Sequence, residues 1–344
     1  MTIYKRRFLK QSIDSVLAQT CRDFELVMVD DKSPEKLYEV IEEYPWEKNC
    51  EVLPDGGRKW MVDGISVRYY QNEEDIGEKD LVAAWNHAMG YATGEWCVLA
   101  SDDDVYMPTY LEEMLRLAVK YPKCDLFHCR LAVINAEGNW IRVGRQWSEF
   151  IGQIPFVHAK AVLRQETYAP DFMFRRSAYT AIGGFVSFPL AIYSDDATWM
   201  SLARNGVGCS GSILFCWRAS GVNICTRTDN ALGKLRACED FRAWFHSFAA
   251  SLRPVTQEDI LLSEGLVRMA EVQIDNLAKY VMRSIRKFNF WMAVLRKSPQ
   301  QNSLKREFIY DRFPRIRALK FALLPPLQRG LKPKTGGGRP CKPD

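Results

Sequence analysis

The sequence of 344 residues has no apolar run of about 18 residues, the length that a membrane-spanning helix needs. Its first seven residues lack an apolar core of signal-peptide length, so we do not expect secretion. No Cys-x-x-Cys pair occurs among its 10 cysteines, which favours buried cytosolic thiols over disulfides or a zinc site. With 47% hydrophobic and 26% charged residues, the composition excludes a disordered or collagen-like chain.

Charge is distributed unevenly along the chain. Residues 279–344 hold 17 Lys or Arg and three Asp or Glu, a net charge of +14, whereas the preceding residues sum to −9. Between residues 312 and 324 the basic residues alternate with apolar ones, as in an interfacial amphipathic helix. We therefore expect a cytoplasmic protein that docks peripherally on the anionic inner face of a membrane. The alternatives are that these apolar residues pack on the catalytic domain, or that the tail is solvated without a fixed partner. Nucleic acid is not an expected partner, because the aromatics of the tail follow helical spacing.

The first two thirds of the chain alternate short apolar runs with helical patterns, which is typical of an α/β fold with a mostly parallel sheet. Helices are predicted over 7–19 and 108–120, and strands over 24–29 and 96–100. Residues 50–64 are predicted to be a loop insertion, and one helix of about 30 residues is expected to begin after Pro254. The predicted domains are an α/β unit over 1–230, a basic helical appendage over 231–331 and a disordered tail over 332–344.

Three acidic clusters fall at predicted strand ends or loops. They are Asp30-Asp31, Asp102-Asp103-Asp104 and Asp195-Asp196. Ligands of open α/β sheets bind at the carboxyl ends of the strands, so the three clusters could converge on one site. Adjacent carboxylates repel each other, and a bound Mg²⁺ or Mn²⁺ would remove that conflict. The alternative is that these acids cap helices or lie in solvent-exposed turns.

Several ordered motifs resemble family 2 glycosyltransferases. They are FLKQSIDSVLAQT (8–20), FELVMVDDKS (24–33), WN (85–86), ATGEW (92–96), SDDD (101–104), FRR (174–176), GGF (183–185) and DD (195–196). The resemblance covers roughly residues 2–225. It implies a GT-A-type, Rossmann-like domain, a nucleotide-sugar donor (a UDP-sugar first of all) and inversion at the anomeric carbon.

The resemblance also assigns roles to residues. It implies that Asp196, with Asp195 beside it, takes the proton from the acceptor hydroxyl. It implies that Asp103, with Asp104, binds Mn²⁺ or Mg²⁺, although Ser101 stands where the family has the first Asp of its Asp-x-Asp motif. Eight residues are expected to bind the nucleotide-sugar: Tyr4, Asp30, Asp31, Lys79, Asn86, Asp102, Arg176 and Arg218. For the arginines the alternative is a surface salt bridge, and for Asp31 it is helix capping.

The expected activity is therefore a metal-dependent, hexosyltransferase-like transfer of one sugar to a glycan or lipid-linked acceptor, in bacterial surface polysaccharide or lipopolysaccharide synthesis. Only Thr2-Ile3-Tyr4-Lys5 remains of the apolar first strand that the family normally has. This departure implies a misassigned start or a truncated form. The alternative function is thus a non-catalytic sugar-nucleotide-binding or scaffold protein.

Overall fold

A computed structural model describes residues 1–221 and 230–284 of the chain. Contacts divide the chain into two units, Met1–Val281 and Met282–Asp344, and the account below concerns the first. The predicted disordered tail and the basic segment 312–324 lie outside the described residues. Within the described residues, no helix is both long enough and apolar enough to cross a membrane.

The first unit contains two mixed β-sheets. The first sheet has the order β1-β2-β5-β4-β3, and the second has the order β10-β12-β8-β11-β6, with β7 beside β12 and β9 beside β8. The strands of the first sheet are β1 (Thr2–Ile3), β2 (Glu25–Asp30), β3 (Glu51–Val52), β4 (Arg58–Val62) and β5 (Ile65–Gln71). Those of the second are β6 (Trp96–Cys97), β7 (Val105–Tyr106), β8 (Leu126–Ile134), β9 (Trp140–Val143), β10 (Phe150–Ile151), β11 (Phe172–Arg175) and β12 (Val207–Arg218).

Helices alternate with these strands along the chain, and three more helices follow the last strand within the described residues. The helices are α1 (Leu9–Leu17), α2 (Tyr38–Glu42), α3 (Leu81–Met89), α4 (Tyr110–Lys120), α5 (Gln153–Ala161), α6 (Arg176–Ala181), α7 (Ser194–Leu202), α8 (Ala231–Ser251), α9 (Gln257–Ser263) and α10 (Leu266–Ser284). Helix α1 buries Leu9 and Ile13, which lie one turn apart, in the core beneath the first sheet. Helix α3 begins at Asp80, whose carboxylate accepts the N–H groups of Val82 and Ala83 at 2.9 and 3.2 Å.

The predicted α/β class is confirmed, and the sheets are mixed. Strands β1, β2 and β5 are parallel, as are β8 and β12, while the remaining ladders are antiparallel. Three antiparallel pairs, β3–β4, β4–β5 and β8–β9, are hairpins with short connections, whereas the others join strands that are distant in sequence. Strand β1 also receives support on its other side, where the Thr2 N–H donates to the Ala100 carbonyl at 3.2 Å.

Two predictions about individual elements were wrong. Residues 50–64 are not a loop, because β3 and β4 extend the first sheet there as antiparallel strands. The helix expected after Pro254 is two helices, α9 and α10. The break is at Gly265, whose φ of +69° belongs to the left-handed region that glycine tolerates. The capping box that begins α9, formed by Thr256 and Asp259, is present.

Candidate active site

The ends of β1 and β2 meet the acidic segment 101–104. The backbone N–H groups of Tyr4 and Lys5 both donate to Oδ2 of Asp102 at 2.6 Å. The Ser33 hydroxyl donates to the Tyr4 carbonyl at 2.6 Å, and the Ser33 N–H donates to Asp30 at 2.8 Å. Two of the three acidic clusters therefore converge as expected.

The Asp30 side chain is hydrogen-bonded to residues of the first sheet. Asp30 ends β2, is 0% exposed, and accepts hydrogen bonds from the Tyr69 hydroxyl at 2.8 Å and from Nε2 of Gln71 at 3.0 Å. With the Ser33 N–H this makes three donors for one carboxylate. Asp30 is thus fully buried and hydrogen-bonded within the protein, and its contact with a nucleotide stays a prediction.

Asp31 organises the segment that follows β5. Its carboxylate accepts from Nδ2 of Asn72 at 2.6 Å and from the N–H groups of Ile76 and Gly77 at 3.1 and 2.7 Å. A Cβ at position 77 would lie only 2.7 Å from Asp31 Oδ2, so this approach requires glycine. Tyr4 lies on the same edge, 40% exposed, and its hydroxyl donates to Asp75 at 2.8 Å. Tyr4 and the segment shaped by Asp31 thus form the exposed part of this edge.

The three consecutive aspartates have different surroundings. Asp104 is 2% exposed, accepts the Arg218 N–H at 2.9 Å and contacts the Ser101 hydroxyl, and its carbonyl accepts from the Ser12 hydroxyl at 2.5 Å. Burial raises its pKa well above the usual value, and the charge of Asp103 adds to this shift. Asp102, which binds the end of β1, has its pKa raised to about 6 by burial. Both carboxylates are therefore already engaged by protein donors.

Asp103 lies between these two acids. Like Asp102 it is half-buried, the charge of Lys5 and the Ser101 hydroxyl favour its ionised form, and it forms no salt bridge with any residue in the described part of the chain. Burial raises its pKa, which means that its charged form lacks full stabilisation. Its backbone carbonyl, in contrast, is fixed by Nε of Arg218 at 2.7 Å.

Arg218 holds the acidic segment from beneath. The side chain is 1% exposed, and its guanidinium donates to the carbonyls of Asn135 and Ala136 at 3.2 and 3.1 Å as well as to Asp103. Its Nη2 donates to Gln11 at 2.9 Å, and its guanidinium carbon lies 4.3 Å from the centre of the Phe8 ring. The guanidinium is thus buried and hydrogen-bonded within the protein, and its contact with a diphosphate stays a prediction.

The three remaining donor-site candidates are engaged elsewhere. Lys79 is exposed and pairs with Glu74 at 2.8 Å. Arg176 donates through Nε to the Gly94 carbonyl at 2.7 Å. Asn86 accepts hydrogen bonds from the Tyr179 hydroxyl and the Phe185 N–H at 2.6 and 2.8 Å, and so fixes the turn at Gly183-Gly184. Asn86 thus has a structural role, whereas Lys79 and Arg176 keep exposed charges.

The third acidic cluster lies in the first turn of α7, where sequence reasoning missed its cationic partner. Lys160 of α5 is 4% exposed, and its Nζ lies 2.6 Å from Asp196 Oδ1, while Arg164 Nη1 lies 3.8 Å from Oδ2. Burial favours the neutral form of Asp196, but the charges of Lys160 and then of Arg164 outweigh it and lower its pKa. The available signal was weak: Lys160 is the single charged residue in the sequence of α5.

Asp195 is the less stabilised member of this pair. It forms no salt bridge with a described residue, and burial together with the charge of Asp196 raises its pKa to about 7. A carboxylate with a pKa near neutrality is a better proton acceptor than an ordinary one, and it is still ionised in a useful fraction of molecules. The two acids therefore differ: Asp196 is paired with a cation, and Asp195 has the higher affinity for a proton.

Asp103 is the residue best suited to hold a divalent cation. No group of three or more His, Cys, Asp or Glu side chains in residues 1–221 and 230–284 is arranged to bind a metal. Magnesium sites, however, commonly use one or two carboxylates together with substrate phosphates and water. Asp103 fits that donor set, whereas both oxygens of Asp104, the predicted second ligand, already accept hydrogen bonds from protein groups, so metal binding by Asp104 stays a prediction.

A family model matches the amino-terminal part of the chain. The model for glycosyl transferase family 2 matches residues 1–183, which is more than half of the chain. The chain belongs to glycosyl transferase family 2. The matched residues include the ends of β1 and β2 and the acidic segment 101–104, and they stop before α7.

Individual relatives of this family 2 chain are distant. It is 26% identical to the uncharacterized glycosyltransferase MJ1057 of Methanocaldococcus jannaschii over 137 residues, which are 40% of this chain and 41% of that protein. It is 24% identical to EpsE of Bacillus subtilis over 190 residues, 54% of this chain and 59% of EpsE. The chain thus spans about two fifths to three fifths of the length of these relatives.

A solved structure shares the fold of this family 2 member. The structure of S. aureus TarS (residues 1–349) in complex with UDP-GlcNAc superposes with a TM-score of 0.51 at 12% identity. The similarity covers 85% of this chain and 86% of that one. This confirms the expected GT-A-type fold.

Replacing Arg218 is predicted to weaken the fold strongly. Arg218→Met would remove the guanidinium donor from the carbonyls of Asp103 and Ala136, while the Asn135 carbonyl would keep the Gly138 N–H, and each buried unsatisfied group costs about 1–3 kcal/mol. We expect the free energy of unfolding, measured by urea denaturation, to fall by about 3 kcal/mol or more. The matched control is Arg22→Met, since Arg22 is an exposed arginine that also donates to a carbonyl, that of Leu17. Equal losses for the two variants would contradict the buried role of Arg218.

Proposed function

We propose that this chain transfers one sugar from a nucleotide-sugar donor to a hydroxyl group of a glycan or lipid-linked acceptor, with inversion at the anomeric carbon. Membership of glycosyl transferase family 2 supports the reaction class. The observation that carries the mechanism is the asymmetry of the acidic pair in α7, in which Lys160 neutralises Asp196 and leaves Asp195 basic. Surface polysaccharide or lipopolysaccharide synthesis is the pathway class that we propose from the family resemblance.

The donor would lie along the strand ends described above. We propose that the nucleotide base packs near Tyr4 and the segment shaped by Asp31, because these are the exposed groups at the end of β1 and β2. A UDP-sugar is the donor class to test first, and UDP-GlcNAc is the donor found with TarS. Arg176 and Lys79 remain candidates for the diphosphate, since their charges are accessible.

Asp103 would hold Mn²⁺ or Mg²⁺ beside the donor diphosphate. When bound, such a cation offsets the negative charge that develops on the leaving nucleoside diphosphate. Arg218 contributes by fixing the Asp103 backbone, and Asp102 contributes by tying the same segment to Tyr4. The protein thereby holds one accessible carboxylate at a defined position between two that are structural.

Asp195 would take the proton of the acceptor hydroxyl as that oxygen attacks the anomeric carbon. Single displacement from the face opposite the leaving group inverts the configuration. Lys160 keeps Asp196 ionised, and the charge of Asp196 in turn raises the affinity of Asp195 for a proton. This reverses the order of the two roles implied by the family resemblance, in which Asp196 is the base.

The function can be tested by thermal stabilisation with a panel of nucleotide-sugars, with and without Mn²⁺. A ligand that binds the folded state raises the melting temperature by mass action. We expect at least one donor to stabilise the full chain and to be consumed when acceptors are supplied. Stabilisation without consumption of any donor would favour the non-catalytic alternative, and no stabilisation at all would contradict both.

The metal assignment predicts a specific loss in Asp103→Asn. This variant should keep the wild-type melting temperature without ligand, because its carboxylate forms no salt bridge in the described structure. It should lose the Mn²⁺-dependent part of the stabilisation by UDP. Asp23→Asn, an exposed aspartate just before β2, is the control and should behave as the wild type. If Asp103→Asn retained the Mn²⁺ effect, the ligand would have to be another residue.

The proton acceptor predicts the pH dependence of turnover. Since Asp195 must be deprotonated to act, kcat/KM should rise with pH and level off above about 7, the pKa raised by burial. Asp195→Asn should lower kcat by about 10²–10⁴-fold above about pH 7, where Asp195 of the wild type is deprotonated, and by less at lower pH.

The Asp196→Asn variant distinguishes the two carboxylates. The substitution removes the negative charge of Asp196, which raises the pKa of Asp195. The positive charge of Lys160 remains and lowers that pKa, so the pKa of Asp195 should fall. The acid limb of kcat/KM should therefore move to lower pH while turnover remains measurable. Complete loss of turnover in Asp196→Asn, with activity retained in Asp195→Asn, would restore the order given by the family resemblance.

A further inference from the structure

The turn that leads into the acidic pair is strained. Leu190, Ala191 and Tyr193 have φ angles of 60°, 57° and 68°, in the left-handed region that residues with a Cβ rarely occupy. Such a backbone conformation is unfavourable for a residue with a Cβ, and it persists only where the surrounding structure enforces it. Tyr193 directly precedes α7, and its carbonyl accepts the Ala197 N–H at 2.9 Å. The direction in which α7 begins therefore depends on this strained turn.

Helix α8 supplies the surface that encloses the turn. The Phe241 ring stacks on the Tyr193 ring with centroids 4.2 Å apart and an interplanar angle of 6°. Phe188, at the start of the turn, meets Phe241 edge to face at 5.9 Å. Leu190 lies against Gly233, where a Cβ would come within 2.7 Å of Leu190 Cδ1. Two aromatic contacts and one close approach thus hold the turn from the side of α8.

The same tyrosine ring connects α8 with the acidic pair. The Arg164 guanidinium lies 5.0 Å from the centre of the Tyr193 ring, and its Nη1 lies 3.8 Å from Asp196. Among the described residues, the buried Tyr193 hydroxyl has no hydrogen-bond partner, and the contacts that hold this side chain are those of its ring. A continuous set of contacts therefore leads from Phe241 through Tyr193 and Arg164 to Asp196.

We propose that Phe241 is a positioning residue for the Asp195–Asp196 pair, and that α8 belongs functionally to the catalytic unit. Phe241 acts through the stacked Tyr193 ring, which keeps the strained turn in the conformation that orients the first turn of α7. The inference rests on the proposed function of the acidic pair. It places an essential part of the catalytic unit beyond residue 230, the boundary predicted from the sequence.

The chain offers a matched control in Phe245. This residue lies one turn further along α8 and is also 1% exposed. Its ring contacts are with Phe241, Trp244 and Phe248 of the same helix, and none is with the rings of Phe188 or Tyr193. Phe241→Ala and Phe245→Ala therefore delete the same side chain from equally buried sites, and only the first unstacks Tyr193.

The experiment compares Phe241→Ala, Phe245→Ala and Phe241→Tyr in the full chain, below the melting temperature of every variant. The first readout is kcat and KM for the nucleotide-sugar that the wild type consumes. The second is hydrogen–deuterium exchange of the amides in residues 186–196, which needs no activity. Phe241→Ala should lower kcat by about tenfold or more, because small misplacements of a reacting group are costly, and should leave KM for the donor within about threefold. It should also speed the exchange of residues 186–196.

The controls determine whether the effect is one of position or only of stability. Phe245→Ala should melt earlier, as Phe241→Ala does, yet keep near-wild-type kcat and exchange in residues 186–196. Phe241→Tyr, which keeps a ring over Tyr193, should restore both values. Equal effects of the two alanine variants on kcat or on exchange would overturn the proposal. If the wild type consumed no donor, the proposed function would fail, and the exchange comparison would still decide whether Phe241 holds the turn.

Discussion

A carboxylate that leaves water needs hydrogen-bond donors or a cation, and this requirement connects the segments around the candidate active site. Asp30 satisfies it with donors from β5, and Asp31 with the segment that follows β5. Asp102 satisfies it with the end of β1, and Asp104 with the backbone of β12. Each acid thereby joins parts of the chain that are distant in sequence. Asp196 is the one acid of the three clusters that forms a salt bridge within the described residues, whereas burial raises the pKa of both Asp103 and Asp195.

Arg218 contributes to this arrangement through its geometry as well as through its charge. Its planar guanidinium places several N–H donors in fixed directions, so it can bind the carbonyls of Asp103, Asn135 and Ala136 simultaneously. A buried cation is costly, and here the carbonyls, Gln11 and the Phe8 ring replace the water that it loses. The position of the acidic segment thus depends on a residue that is itself buried.

The sequence predicted the strands and the positions of the acids well, because these depend on local patterns. Apolar runs located β2 and the segment before Asp102, and β1 connects the two, since it pairs in parallel with β2 and the Thr2 N–H donates to the Ala100 carbonyl. The sequence could not show which carboxylates already have hydrogen-bond donors or a cation within the protein. That depends on partners far away in the chain, such as Tyr4 for Asp102 and Lys160 for Asp196. The burial of Arg218 could not be predicted for the same reason, since it arises from three separate segments that meet around this side chain.

The pair in α7 shows why such distant contacts matter for chemistry. Two adjacent carboxylates with identical surroundings would share their protons, and neither would have a defined role. Lys160 removes that symmetry, because a buried ammonium 2.6 Å from Asp196 keeps one carboxylate ionised while its neighbour gains affinity for a proton. The difference between the two acids is only as reliable as the geometry that maintains it. Since Arg164 contacts both Asp196 and the Tyr193 ring, and α8 stacks on that ring, the packing of a helix beyond the matched family segment bears on the protonation of the pair.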